Sequence, residues 1–246
     1  MTTHGSNSTR MFASGFALFA SAALLVGCAT NDGGSATVTL SEAVAPAADE
    51  TLLDRRADGA TLYGRVEAQP IDTDTPRILV LRAVRQGQSL DASLDGARVL
   101  DARFAGSSIV TIGADGVLRV HAHGVTTELD RDAEPPLSVA GSVVAYARGA
   151  MPSFELASAD LVTGVVRQWT DGMAPVWSPA LSPDAAEIVF VSGASGAPRL
   201  YRLEQNGAPV ALPETASFPS SLRAPRWQDA TLHFEDETGT PRELAL

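Results

Sequence analysis

The chain of 246 residues carries 29 acidic side chains against 18 basic ones, all of them Arg, for a net charge of −11, and it has one Cys. Without Lys there is no Schiff-base amine, no Ser-Lys dyad and no phosphate loop ending in Gly-Lys, and a chain this acidic repels a nucleic-acid backbone. The length suits one large all-β domain, since such domains often exceed the usual ~150 residues, and a domain near ~200 residues can rest on burial alone without disulfides.

Arg10 is the only formally charged side chain before residue 32, and the apolar run from Met11 to Gly27 follows it. This is the layout of a secretory signal, a short basic region and then an apolar helix. The run ends at Leu25-Val26-Gly27-Cys28, which resembles the lipobox of bacterial lipoproteins. The resemblance implies cleavage before Cys28, so that 1–27 is a signal peptide, and attachment of lipid to the Cys28 thiol. Ala29 stands where an Asp would signal retention at the inner membrane, so the outer membrane facing the periplasm is the expected location. Residues 28–50, rich in Ala, Ser, Thr, Gly and acids, read as a flexible tether. Within it Thr37-Val38-Thr39-Leu40 alternates as a strand does.

From residue 51 onward a four-stranded unit recurs. Its hairpin glycines are Gly87, Gly124, Gly164 and Gly207, spaced 37, 40 and 43 residues apart. That period is in the range of propeller blades. The predicted inner strands align at Leu62-Tyr63, Ile109–Ile112, Val143–Tyr146, Ile188–Phe190 and Leu232–Phe234. Turn residues precede each one: Asp58-Gly59, Ala105-Gly106, Ala140-Gly141, Pro183-Asp184 and Gln228-Asp229. The fourth unit is the clearest. Ser182-Pro183-Asp184 is a turn, Ile188–Val191 is a wholly apolar strand between turns, Leu200-Tyr201 begins a second, and Asn206-Gly207 is expected to supply the positive φ values of a tight hairpin before Val210–Leu212 returns.

This unit resembles the propeller repeat of TolB-type proteins, with its Ser-Pro-Asp-Gly turn, Ile-Ala-Phe strand and later Leu-Tyr strand. Ala185 stands where that repeat has Gly, which alters the first turn. Asp160-Leu-Val-Thr163-Gly164 is similar to the hairpin common in the same family. The fold expected is therefore an all-β propeller of about five four-stranded blades over 51–246. The last unit has only three recognisable strands, so the strand at 37–40 is expected to complete it and close the ring, hiding an edge that would invite aggregation.

Few constellations carry chemistry. His121 and His123, two apart on a predicted strand, would share a face with Arg119. The pair could begin a metal site, but Arg119 opposes a cation and no third ligand is identifiable, so a solvated face is expected. Asp72, Asp74, Asp130, Asp132 and Glu134 lack the Gly and Glu spacing of a calcium loop and read as loop acids. Ser195 lacks the second Gly of a nucleophile elbow and reads as a hairpin residue. Trp169, Trp227, Phe190, Phe218 and Tyr201 are expected in the core between sheets. Trp177 is expected in a connection between units, at the mouth of the channel, where with Arg226 it would meet a partner. The function these readings imply is a lipid-anchored cell-envelope propeller that binds an envelope protein or cell-wall partner, with no catalysis, cofactor or metal; this rests on fold-level analogy. The alternatives are an envelope enzyme or metal-dependent accessory with its site at the channel mouth, or a small-ligand sensor.

Overall fold

The computed structural model describes residues 46–67, 77–150, 152–204, 207–212, 223–228, 231–235 and 240–245. The signal peptide expected over 1–27, Cys28, the expected tether up to residue 45, the strand expected at 37–40, Asp72, Asp74, Asn206, Phe218 and Asp229 lie outside them.

The described strands form five successive antiparallel meanders. The first comprises β1 (Glu50–Arg55), β2 (Thr61–Val66), β3 (Leu79–Arg85) and β4 (Gln88–Ser89). The second is β5 (Arg98–Ala105), β6 (Ser108–Gly113), β7 (Leu118–Ala122) and β8 (Val125–Asp130). β9 (Ala133–Ala140), β10 (Val143–Arg148), β11 (Glu155–Asp160) and β12 (Val166–Gln168) make the third. The fourth contains β13 (Val176–Leu181), β14 (Glu187–Ser192), β15 (Arg199–Glu204) and β16 (Val210–Ala211). Three strands make the fifth: β17 (Arg223–Gln228), β18 (Thr231–Glu235) and β19 (Pro241–Ala245). A short pairing of Leu79 with Val99 and Val80 with Arg98 joins the first two meanders into one sheet. Each predicted inner strand is the second strand of its meander.

The middles of those second strands are largely apolar and buried because both of their faces are covered. Along β14, Ile188 and Phe190 pack toward the third meander, while Val189 and Val191 pack toward the fifth. Along β6, Ile109 faces the first meander and Val110 with Ile112 faces the third. A separate apolar cluster therefore fills each space between successive sheets. Fully burying one such Val, Ile or Phe stabilises the fold by about 1.5–3 kcal/mol. The first strands lie side by side in chain order, β1 by β5, β5 by β9, β9 by β13 and β13 by β17.

Two hairpins are type I′ turns, in which both central residues have φ > 0. Gln86 and Gly87 (φ 51° and 79°) link β3 to β4, and His123 and Gly124 (φ 52° and 75°) link β7 to β8. His123 is thus a turn residue and leaves the strand on which the sequence placed it. Gly207 also differs from expectation, since its φ is outside the positive region. Ala185 sits at φ 58°, a left-handed conformation imposed by the turn between β13 and β14. Of the acids near residue 130, Asp130 ends β8 and Glu134 lies in β9, while Asp132, at φ 57°, stands in the connection between them as expected.

Candidate functional site

Every first strand carries a β-bulge. The register slips between Leu52 and Asp54, between Val99 and Asp101, between Trp177 and Ala180, between Arg223 and Arg226, and on β9 opposite Ala145 and Ala147. A bulge adds a residue, bends the strand and re-aims its side chains. Pro136, Pro179 and Pro225 lie on these strands, consistent with sheet edges where no ladder N–H is required. The five bulged strands all line one cavity of about 490 Å³. Its lining takes Asp54 from β1, Arg103 from β5, Pro136 from β9, Pro179 from β13 and Arg226 with Trp227 from β17.

Side chains tie each first strand to the next. Phe104 N donates to Asp54 Oδ2 at 2.8 Å, Leu137 N to Asp101 Oδ2 at 2.8 Å, and Leu181 N to Ser138 Oγ at 2.9 Å. At the fifth meander the side chain belongs to the later strand instead, and Trp227 Nε1 donates to Ala180 O at 3.2 Å. Buried Asp101 also accepts from Ala102 N and pairs with Arg103 at 2.6 Å. Burial raises its carboxyl above the usual carboxylate range, against the pull of Arg103 and the two backbone donors. Arg103 is thereby committed to Asp101. Arg226 is exposed and forms no ion pair among the described residues, so it offers the cavity an uncommitted guanidinium.

Trp177 is not in a connection. It lies within β13 and packs, with Trp227, against the apolar cluster between the fourth and fifth meanders. Ser178, at φ 51°, forms the bulge that lets the strand continue past it. Of the two residues expected to meet a partner, the structure brings Arg226 to the cavity and Trp177 to the core. Phe190 stacks on Tyr201 with centroids 5.7 Å apart, as the core reading of the aromatics expects.

His121 and His123 do share a cleft, of about 350 Å³, with Asp91, Arg56 and Phe104, between the first and second meanders. Both ring nitrogens of His121 are engaged by hydroxyls, Nε2 with Thr111 Oγ1 at 3.0 Å and Nδ1 with Thr126 Oγ1 at 2.9 Å. Burial pushes its pKa down, favouring the neutral ring. No group of three His, Cys, Asp or Glu side chains among the described residues is arranged to hold a metal ion. Asp130, read from sequence as a loop acid, accepts the Tyr146 hydroxyl at 2.6 Å and pairs with Arg148 at 3.0 Å. Ser195 is a hairpin residue whose Oγ donates to Ala197 O at 3.1 Å.

The sequence reading missed the bulges and the ties between first strands. The prolines at 136, 179 and 225 were the available signal for the cavity wall.

No family model matches the chain, and no curated protein matches it. Among solved structures it is similar to a putative TolB from Agrobacterium tumefaciens, at 14% identity and a TM-score of 0.51 over 79% of each chain. It is also similar to a chain of a nidogen/laminin complex, at 10% identity and a TM-score of 0.55 over 80% of this chain and 77% of that one. Against TolB from Acinetobacter baumannii the identity is 15% and the TM-score 0.49, over 70% of this chain, which spans half the length of that protein. The successive antiparallel meanders match the β-propeller fold of the first two of these structures.

Proposed function

We propose that this chain is a lipid-anchored envelope propeller whose ring of five blades binds a macromolecular partner at its central cavity and performs no catalysis. The observation that carries the reading is the cavity itself: five bulged strands each give it a residue, and Arg226 stands there exposed, with no ion pair among the described residues. A rigid scaffold that presents such a surface suits recognition, and Arg is among the residues that most often dominate an interface. The anchor rests on the lipobox around Cys28, the ring closure on the strand pattern at 37–40, and the envelope location on the signal sequence. Fold-level analogy adds that one similar structure is a nidogen/laminin complex, and that another was solved as KlAtg21 with the coiled coil of AgAtg16. The engaged ring nitrogens of His121 favour a structural over a catalytic role for that residue.

The test is crosslinked capture of the processed protein from its own envelope. Arg226→Ala should lose the captured partner and keep its melting temperature. Trp177→Ala should instead destabilise the domain by about 2–3 kcal/mol, because it removes a large, partly buried ring from a packed cluster. Unchanged capture by Arg226→Ala would exclude the cavity as the binding face.

A further inference from the structure

A second cavity lies between the third and fourth meanders and shares only Leu181 with the central one. Its volume is about 200 Å³. Leu181, Ile188 and Leu203, all buried, form an apolar floor. Trp169 forms one wall, its Nε1–H satisfied by Ser158 Oγ at 2.8 Å, so the indole presents carbon rather than an unmet donor. A dry cavity of about 150 Å³ already admits a benzene ring. The size therefore suits one ring or a short branched chain.

The rim supplies the charge selection. Asp160 and Glu204 stand on it with Arg167. Arg167 is stacked on the indole, its Cζ 3.6 Å from the ring centroid, where its charge meets the negative face of the ring. Asp160 Oδ1 accepts from Val162 N at 2.9 Å and Thr163 N at 2.8 Å, which fixes the carboxylate in place. Glu204 is left under-neutralised among the described residues: its ion-pair partner there, Arg202, is 3.6 Å away and pairs more closely with Glu187. Two carboxylates thus face one guanidinium that is already laid against an aromatic face, on a chain whose net charge is −11.

We propose that this cavity binds a small amphiphilic cation, an apolar ring or short branched chain ending in an ammonium group, with the apolar part on Leu181, Ile188 and Leu203 and the ammonium at Asp160 and Glu204. The site goes beyond the partner-binding reading and does not depend on it.

The experiment titrates 2-phenylethylammonium and, as its charge-reversed analogue, 3-phenylpropionate into the purified full chain, reading the methyl resonances of Leu181, Ile188 and Leu203. The cation should shift them saturably at millimolar concentration, and the anion should bind at least about tenfold more weakly, as rim carboxylates of one sign dictate. Glu204→Gln should weaken the cation about threefold to fivefold, the scale of one exposed ion pair. Ala186→Phe, on the exposed rim and away from the core, should abolish the shifts while the melting temperature holds. Equal or tighter binding of the anion, shifts that persist in Ala186→Phe, or no saturable shift at all would each overturn the proposal.

Discussion

Ala185 holds a φ of 58° where the turn from β13 to β14 closes. A left-handed conformation costs an L-residue about 1–2 kcal/mol, while Gly in its place gives back about 0.5–1 kcal/mol through unfolded-state entropy. Ala185→Gly should therefore stabilise the domain by about 0.5 kcal/mol, raising the melting temperature by about 1–2 °C. Thermal unfolding of the variant checks this, and a lower melting temperature would mean that the methyl group matters more for packing than the φ does for strain. The substitution was legible in sequence because Ser182-Pro183-Asp184 marks the turn locally. Trp177 and His123 were not legible. Ser178-Pro179 reads as a connection, yet a bulge with one serine at positive φ keeps Trp177 inside a strand. His-Gly lacks the Asn or Asp that usually announces a type I′ hairpin, so the sequence alone points to a strand at His123.

At the scale of elements, each meander was visible and the contacts between meanders were not. Apolar runs such as Ile188–Val191 and hairpin residues such as Gly87 and Gly124 act over a few positions, so the second strands and most hairpins could be placed from the chain alone. The ties from Asp54 to Phe104, Asp101 to Leu137 and Ser138 to Leu181 join residues 50, 36 and 43 positions apart. Nothing in a short window of sequence encodes them. Asp101 gives this layer a pH signature. Its folded pKa is raised by burial, so between the ordinary Asp value of 3.8 and the raised value the native state holds a proton that the unfolded state releases. Stability should accordingly rise as pH falls through that window. Asp101→Asn keeps one acceptor and cannot titrate. Melting temperatures measured from pH 7 to pH 4 should show the parent gaining stability relative to Asp101→Asn as the pH drops, whereas parallel profiles would mean that Asp101 titrates as in the unfolded chain.

At the scale of the whole molecule, three described strands in the fifth meander leave β19 without an outer neighbour among the described residues. If the strand at 37–40 pairs there, deleting residues 36–42 should destabilise the domain far more than deleting 43–49. Several backbone hydrogen bonds at about 1 kcal/mol net each are at stake, and equal melting temperatures for the two deletions would reduce the segment to a tether. The proposed binding face is the cavity lined by the first strands. Pro183 lines that cavity and is exposed, whereas Val125 is exposed on the outer strand β8 and is absent from the lining. The most direct measurement places a photoactivated crosslinking side chain at each of these positions in turn, in the processed protein within its native envelope. A discrete macromolecular adduct is expected from position 183 and none from 125; no adduct at 183, or the same adducts from both positions, would contradict binding at this cavity.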